Sequence, residues 1–429
     1  MKTKIIGGTV LTEGELRRAE VLFDETGILA VGEKTGEADT VIDASGKYVL
    51  PGLVDVHVHF REPGFEEKET IRTGSAAAAR GGFTTVLPMP NLKPVPDSVE
   101  TMRKELEIID RDSCVHTLPY GAITKGEAGQ ELADLQGMYD LGIRWFSDDG
   151  VGMNDQKLMA EALRFSAEHG CIIACHTEDL SWREPGASVH EAPYAYEHGW
   201  KGIPDECESE PLANDLMTAA KAGGYYHACH ISSHKSVEVL RAAKMAGVNC
   251  SAEVTAHHLL LENTDVKGTN WKMNPPLRTH KDRMALIEAL EDGTVDFIAS
   301  DHAPHTVFDK AKPMSQAAFG IVSLETSFPL LYTHFVKDEK RWTLEQLIAW
   351  MSTLPCERFG MNDRGEIAVG KKADIIIADL DTEYTIDVKT FRSKGKNTPF
   401  DGARACARVI RTIAEGITVY EETGEEHAD

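Results

Sequence analysis

The chain has 429 residues, 42% of them hydrophobic and 27% charged, and a net charge of −24. That length exceeds one small core and suits a large barrel with an accessory domain. The acidic surface works against nucleic acid or anionic membrane as partners, and no apolar run reaches the roughly 18 residues of a transmembrane helix.

The N-terminus, Met1-Lys2-Thr3-Lys4-Ile5-Ile6-Gly7-Gly8, has no signal-peptide core, so a cytoplasmic location is expected. The eight cysteines form no CxxC pairs, which suggests reduced and mostly buried thiols. Cys175 and Cys229 each precede a histidine of interest, and strand alternation should turn them to the opposite face.

The first fifty residues read as all-β, with short strands at Lys4–Ile6, Ala19–Phe23 and Tyr48–Val49 between Gly- and Asp-bearing turns. The last sixty or so look similar, with strands at Asp374–Ala378, Tyr384–Ile386 and Ile417–Tyr420. Two β-rich ends predict one small β-sandwich domain built from residues 1–50 and 363–429. The stretch 51–362 between them is periodic. Apolar β-branched runs recur at Leu53–Val58, Phe83–Pro88, Val115–Gly121, Gly142–Phe146, Cys171–Cys175, Tyr225–Cys229, Val248–Val254 and Val295–Ser300. Helical patterns separate most of them, as at Ser98–Ile109, Gln156–His169, Leu212–Ala222, Val237–Ala246 and Lys281–Leu290. Eight strands alternating with helices predict an α/β fold of the (β/α)8 TIM-type barrel class, whose chemistry sits at the C-terminal strand ends.

Those ends carry metal-ligand chemistry. The first strand ends in His57 and His59, two apart and so on one side, with Arg61 following as a fixed cation. The second ends in Met89-Pro90-Asn91, which alone is an ordinary turn. The fourth offers Asp148-Asp149 and the fifth His176-Thr177-Glu178. The sixth ends in His230 and the eighth in Asp301-His302-Ala303-Pro304-His305. A solitary histidine at a strand end is usually structural, but ligand types at five tips together point to a metal pair with about six ligands. His230 lies at its tip, so parity makes His227 outer packing, and His302 should turn away from the metal. His257 and His258 read as capping or supporting groups, and His190 and His198 as solvated loop residues. A metal pair can polarise a carbonyl and turn a bridging water into hydroxide. Asp301 is placed to shuttle the proton, because the eighth strand closes the barrel beside the first. A carboxylated lysine is one known metal bridge, but the fourth tip has no lysine: Arg144 and Lys157 lie off it, and a direct aspartate bridge is simpler.

Together these residues resemble the amidohydrolase superfamily, and more closely the bacterial type I dihydroorotases. The likeness rests on Asp55-Val-His-Val-His-Phe-Arg-Glu-Pro-Gly64, Lys68–Ser75, Ala79–Thr85 with Met89-Pro-Asn91, and Phe146-Ser-Asp-Asp-Gly150. It continues through Asn274-Pro-Pro-Leu-Arg278, Ser300–His305, Phe319-Gly-Ile321 and Lys396-Asn-Thr-Pro-Phe400. The resemblance implies reversible cyclisation of N-carbamoyl-L-aspartate to L-dihydroorotate in pyrimidine biosynthesis. It implies one or two zinc ions on His57, His59, Asp149, His176, His230 and Asp301, bridged by Asp149 and hydroxide, and it favours Asp149 over Asp148 where spacing does not decide. It also implies that Arg61, Asn91 and His305 hold the substrate carboxylate, with His59 beside it, and that Asn274 and the Phe319-Gly320 backbone contact the ring. Thr306–Ala318 looks like a mobile lid. A homodimer and an association with aspartate transcarbamoylase are further implications. Leu92 departs from the family's usual threonine and removes no ligand. Two other readings compete: a hydantoinase or allantoinase, whose neutral ring would not need Arg61, and a metal-free scaffold barrel, which would not need six ligands.

Overall fold

The structure, a computed structural model, describes residues 1–422; the last seven residues of the expected 363–429 segment lie outside the described residues. Eight parallel strands form the barrel: β1 (Leu53–Val58), β2 (Phe83–Pro88), β3 (His116–Thr117 and Gly121–Ala122), β4 (Trp145–Ser147), β5 (Ile172–Cys175), β6 (Tyr225–Ala228), β7 (Cys250–Thr255) and β8 (Phe297–Ala299). Closure comes from a parallel bridge between Val58 and His302, where His59 N–H donates to His302 O at 2.9 Å. The first and eighth strand ends are therefore neighbours, as the placement of Asp301 required.

The third strand differs from its expected single run at Val115–Gly121. Its first piece pairs with β2 and its second with β4, and Pro119 lies between them. Proline has no N–H for a ladder and so interrupts the strand. Five helices recur in the connections: α1 (Val99–Asp112), α2 (Gln156–His169), α3 (Glu206–Ala222), α4 (His234–Met245) and α5 (His280–Glu291). Local chemistry sets their ends. The Asp155 side chain accepts from Lys157 and Leu158 N–H at the start of α2, and Gly170 takes the left-handed φ of 68° at its end. Helix α3 begins six residues before the expected Leu212, with Pro211 inside it. The carbonyl that Pro211 leaves without a helical donor, Cys207 O, accepts from Asp179 N–H at 2.9 Å instead.

The chain termini build two sheets. A six-stranded sheet runs in the order Ile417–Glu421, Arg408–Ala414, Ile375–Asp379, Tyr48–Pro51, Thr9–Thr12, Glu15–Arg18. A four-stranded sheet has the order Gly27–Gly32, Glu20–Asp24, Thr3–Ile6, Thr40–Asp43. Ile5, Val21, Val49, Ile375 and Ile413 pack together between them. Removing such aliphatic side chains from water supplies most of the drive to pair the two ends of the chain.

Arg364 ties this unit to the barrel. It is 4% exposed. Its Nη1 donates to Thr85 Oγ1 on β2 at 3.1 Å and lies 3.5 Å from Asp374 Oδ2, while Nη2 lies 3.5 Å from Glu415 Oε1. Burial pushes Asp374 up to about 6 against the pull of Arg364. Replacing Arg364 by Ala leaves Asp374 buried without its cation, so stability should fall by roughly 3 kcal/mol. Urea denaturation of the parent and the variant measures this; coincident midpoints would show that the contact carries no net stability.

Candidate metal centre

Six donors from five strand ends converge in one buried space. Asp149, just after β4, stands at its middle. Its Oδ1 lies 3.3 Å from His57 Nε2, 3.7 Å from His230 Nε2 and 3.9 Å from His176 Nδ1. Its Oδ2 lies 3.5 Å from His59 Nε2. Asp301 Oδ1 lies 3.1 Å from His59 Nε2 and 3.8 Å from His57 Nε2. Two overlapping triads result, His57–His59–Asp301 and His57–Asp149–His230, each with its ligand atoms within 4.8 Å of one another. The Oδ1 of Asp149 and the Nε2 of His57 are buried with no hydrogen-bond partner, and His176 Nδ1 faces His230 Nε2 at 3.0 Å. Buried polar atoms almost always have partners. Lone pairs crowded together without donors fit a divalent cation, and imidazole nitrogens with carboxylate oxygens are the right donors for one. Burial raises the Asp149 carboxyl, but the facing His57, His230 and His59 outweigh it and hold the group well below its ordinary range.

The backbone bends to present these groups. Arg61, His230 and Asp301 have φ of 61°, 33° and 46°, in the left-handed region that side chains disfavour. Such strain gathers where the surrounding structure over-determines it, commonly at functional sites. The fourth-strand pair also separates cleanly. Asp148 Oδ1 accepts from the Ile123 and Thr124 N–H groups at 2.8 and 3.0 Å, so Asp148 braces β3 while Asp149 faces the imidazoles. Arg144 turns to the Tyr139 carbonyl at 2.8 Å, away from the tip.

A cavity of about 360 Å³ opens above the cluster. It is lined by His59, Asp149, His176, His230 and Asp301 on one side and by Arg61, Asn91, Asn274, His305, Phe319 and Gly320 around them. His57 is wholly buried beneath. The hydrogen bonds orient several of these groups. His59 Nδ1–H donates to Asn91 Oδ1 at 3.0 Å, so the imidazole keeps Nε2 for the cluster and the Asn91 amide keeps its N–H donors. His305 Nε2–H donates to Phe319 O at 2.6 Å, which leaves Nδ1 as an acceptor, and burial pulls the ring down to about 2. His305 thus stands in the cavity wall together with Arg61 and Asn91.

Some neighbours differ from expectation. His227 is not on the outer face. It is fully buried, its Nε2 3.0 Å from Glu253 Oε2 and its ring stacked on Phe297. Parity counted from His230 fails because β6 ends at Ala228 and His230 is already left-handed. Cys229 is likewise near the centre, its sulfur within 4.8 Å of His57 and Glu253 ligand atoms. His190 is buried rather than solvated; Arg278 Nη1 lies 3.3 Å from its Nδ1, and burial beside that cation pulls it down to about 4. His302 turns away, as expected, accepting from Ser323 N–H at 3.1 Å. Thr255 caps the short helix Ala256–Leu260 and its Oγ1 lies 2.7 Å from His258 Nδ1, and Leu92 is buried outside the cavity lining. All eight cysteines are unpaired.

Two carboxylates, Glu178 and Glu253, received no role from the sequence. Glu178 Oε2 lies 3.1 Å from His176 Nε2 and accepts from Asn274 Nδ2 at 3.0 Å, and its Oε1 pairs with Arg183. Glu253, wholly buried on β7, accepts from His57 Nδ1–H at 2.6 Å. A charge inside an expected barrel strand, Val248–Val254, was the available signal, since a buried charge demands a partner. Burial raises Glu253, but His57 and His227 outweigh it and hold the carboxyl near 2. Carboxylate–imidazole pairs of this kind fix the tautomer of a metal ligand. Glu253→Gln keeps the shape and loses the charge, so metal affinity should drop about 10- to 100-fold. Chelator competition on stripped and refilled protein reads this directly; an unaltered dissociation constant would free Glu253 of that role.

A sequence model described as Dihydro-orotase-like matches residues 46–236. A dihydroorotase of Bacillus licheniformis is 50% identical over 426 residues, covering 98% of this chain and 99% of its own length. One of Bacillus subtilis is 49% identical with the same coverage. The chain belongs to the dihydroorotase family. Solved structures of an L-hydantoinase from Arthrobacter aurescens and a D-hydantoinase from Thermus sp. superpose with TM-scores of 0.89 and 0.84. Their identities are 26% and 25%, covering 98% of this chain and 96% and 95% of theirs. Barrel and sandwich are thus shared with other cyclic amidohydrolases. The family relationship and the buried donor cluster together assign a metal to this enzyme. No helix among the described residues is long and apolar enough to cross a membrane.

Proposed function

We propose that the chain interconverts L-dihydroorotate and N-carbamoyl-L-aspartate at a zinc centre held by His57, His59, Asp149, His176, His230 and Asp301. The observation that carries this reading is one cavity in which the donor cluster and the Arg61 guanidinium face the same space. The three imidazole-bearing strand ends and the two carboxylates would suit zinc, and Asp149 is the carboxylate that faces all four imidazoles. Bound there, a divalent pair lowers the pKa of water and draws electron density from a carbonyl oxygen.

The residues supply the rest. Arg61 Nε is engaged by Pro304 O at 3.4 Å, which leaves its terminal nitrogens for a carboxylate, and the Asn91 amide adds a donor beside it. The ring amide then lies over the cluster. In the hydrolytic direction a water attacks the amide carbon and its proton passes to Asp301. The carbon–nitrogen bond breaks, and Asp301 returns the proton to the leaving nitrogen. Ring closure is the reverse. Asp301 starts ionised: burial raises its carboxyl, but His59 and the neighbouring imidazoles hold it below its ordinary range. Asn274 and the Phe319-Gly320 backbone hold the ring.

The likeness in fold to hydantoinases supports a second reading, a neutral cyclic imide as substrate. Such a ring leaves Arg61 without an anion, which favours the dihydroorotate reading. A cytoplasmic location, a homodimer and an association with aspartate transcarbamoylase rest on the family resemblance; sedimentation with and without that enzyme tests the last two.

Purified, zinc-supplemented protein should consume dihydroorotate at alkaline pH and form it from carbamoyl aspartate under mild acid. A chelator should abolish both, and hydantoin and allantoin should remain untouched; turnover of hydantoin alone would move the chain to the second reading. Asp301→Asn should retain metal and lose nearly all turnover, and a rate within a few-fold of the parent would remove its proton-shuttle role. Arg61→Ala should raise KM for dihydroorotate about 10- to 100-fold, the worth of a charged hydrogen-bonded pair, with metal content unchanged. An unchanged KM would refute that assignment.

A further inference from the structure

The segment expected to be a free lid, Thr306–Ala318, is anchored by two buried ammonium groups. It opens with a short helix, Val307–Lys310, whose polarity is inverted. Val307 and Phe308 are 76% and 83% exposed, while Lys310 is 6% exposed. Lysine is almost never buried unless paired. No carboxylate pairs with Lys310 among the described residues. Its three donors go to three carbonyls: Lys272 O at 3.1 Å, Ala318 O at 2.9 Å and Gly320 O at 3.0 Å. That uses the full donor capacity of an ammonium. Lys272, 2% exposed, donates to Met314 O at 2.6 Å, and its Nζ stands 4.1 Å from the centre of the Phe319 ring.

One of these carbonyls, Gly320 O, belongs to a residue of the cavity wall, and Lys272 and Ala318 stand close in sequence to its Asn274 and Phe319. Gly320 takes a φ of 117°, open to glycine alone without strain, and its N–H donates to Lys272 O at 3.0 Å. Asn397 Nδ2 reaches Gly320 O at 3.1 Å and Ala303 O at 3.0 Å, and its Oδ1 accepts from His305 N–H at 3.0 Å. Lys310 thus joins the backbone of Gly320 to that of Lys272, two residues before Asn274. One cation therefore reinforces the backbone hydrogen bond that already joins the two segments.

We propose that Lys310 is a positioning residue whose buried ammonium latches the Phe319-Gly320 backbone against the Lys272–Asn274 segment in the geometry that reads the substrate. The assignment rests on the dihydroorotate reading for what is read, and on the hydrogen bonds alone for the latch. Burial lowers Lys310 to about 7 and Lys272 to about 8, so keeping a charge here is costly. A methionine would fill similar volume without that cost, but it would take a donor from all three carbonyls, leaving Lys272 O with the Gly320 N–H and Gly320 O with Asn397 Nδ2.

The test compares the parent with Lys310→Met and Lys310→Gln, each zinc-loaded, by dihydroorotate kinetics and by amide exchange of the 311–321 peptide without substrate. For Lys310→Met the expected result is a KM raised about tenfold or more, kcat changed less than about threefold, equal metal content, and faster exchange in that peptide. Lys310→Gln should fall between, since its amide can still serve two of the carbonyls. If the methionine variant does not fold, the glutamine variant carries the same comparison. A KM within about twofold of the parent in a folded variant, or unchanged exchange, overturns the proposal. Should even the parent leave dihydroorotate untouched, the substrate reading fails, and the exchange rates still decide the latch by themselves.

Discussion

One carboxylate faced by four imidazoles at the buried floor of the cavity is the constraint on which the rest of the structure depends. Asp149 sits within 4 Å of His57, His59, His176 and His230. Such an arrangement is stable only with a positive charge among the donors, and it can be assembled only if strand ends far apart in sequence meet. Closure of β8 on β1 through His302 brings Asp301 to the histidine pair, and Glu253 beneath holds His57 by its far nitrogen. Barrel closure, second-layer pairing and backbone strain all serve the same small volume.

Above that volume the charge pattern reverses. Arg61, Arg183, Lys272 and Lys310 gather around the cavity of a chain whose net charge is −24. A dianionic substrate would be repelled by the average surface and drawn to this exception. In the proposed mechanism recognition and chemistry are stacked in layers, with cations and amides around the cavity and the donor cluster below it.

The period of apolar runs made the barrel legible, because parallel strands buried on both faces are nearly continuous in hydrophobic residues. The donor cluster was legible because ligand residue types recur at strand tips, while the choice of Asp149 over Asp148 came from the family resemblance. What escaped has physical causes. The break in β3 depends on one proline inside an apolar run, and the start of α3 depends on a carbonyl satisfied from a distant loop. His227 was misplaced because alternation cannot be counted through a left-handed residue. Glu253 and Lys310 were passed over because their roles depend on partners far along the chain, which no local pattern records.

The left-handed backbone at Arg61, His230 and Asp301 has a consequence for how such a protein ages in the laboratory or in a lineage. Each of these conformations is disfavoured by about 1–3 kcal/mol and persists only where the surrounding structure over-determines it. Under a regime that rewards heat tolerance and ignores turnover, substitutions relieving those three residues become gains. The active site would decay before the barrel did, leaving a sturdier and silent relative.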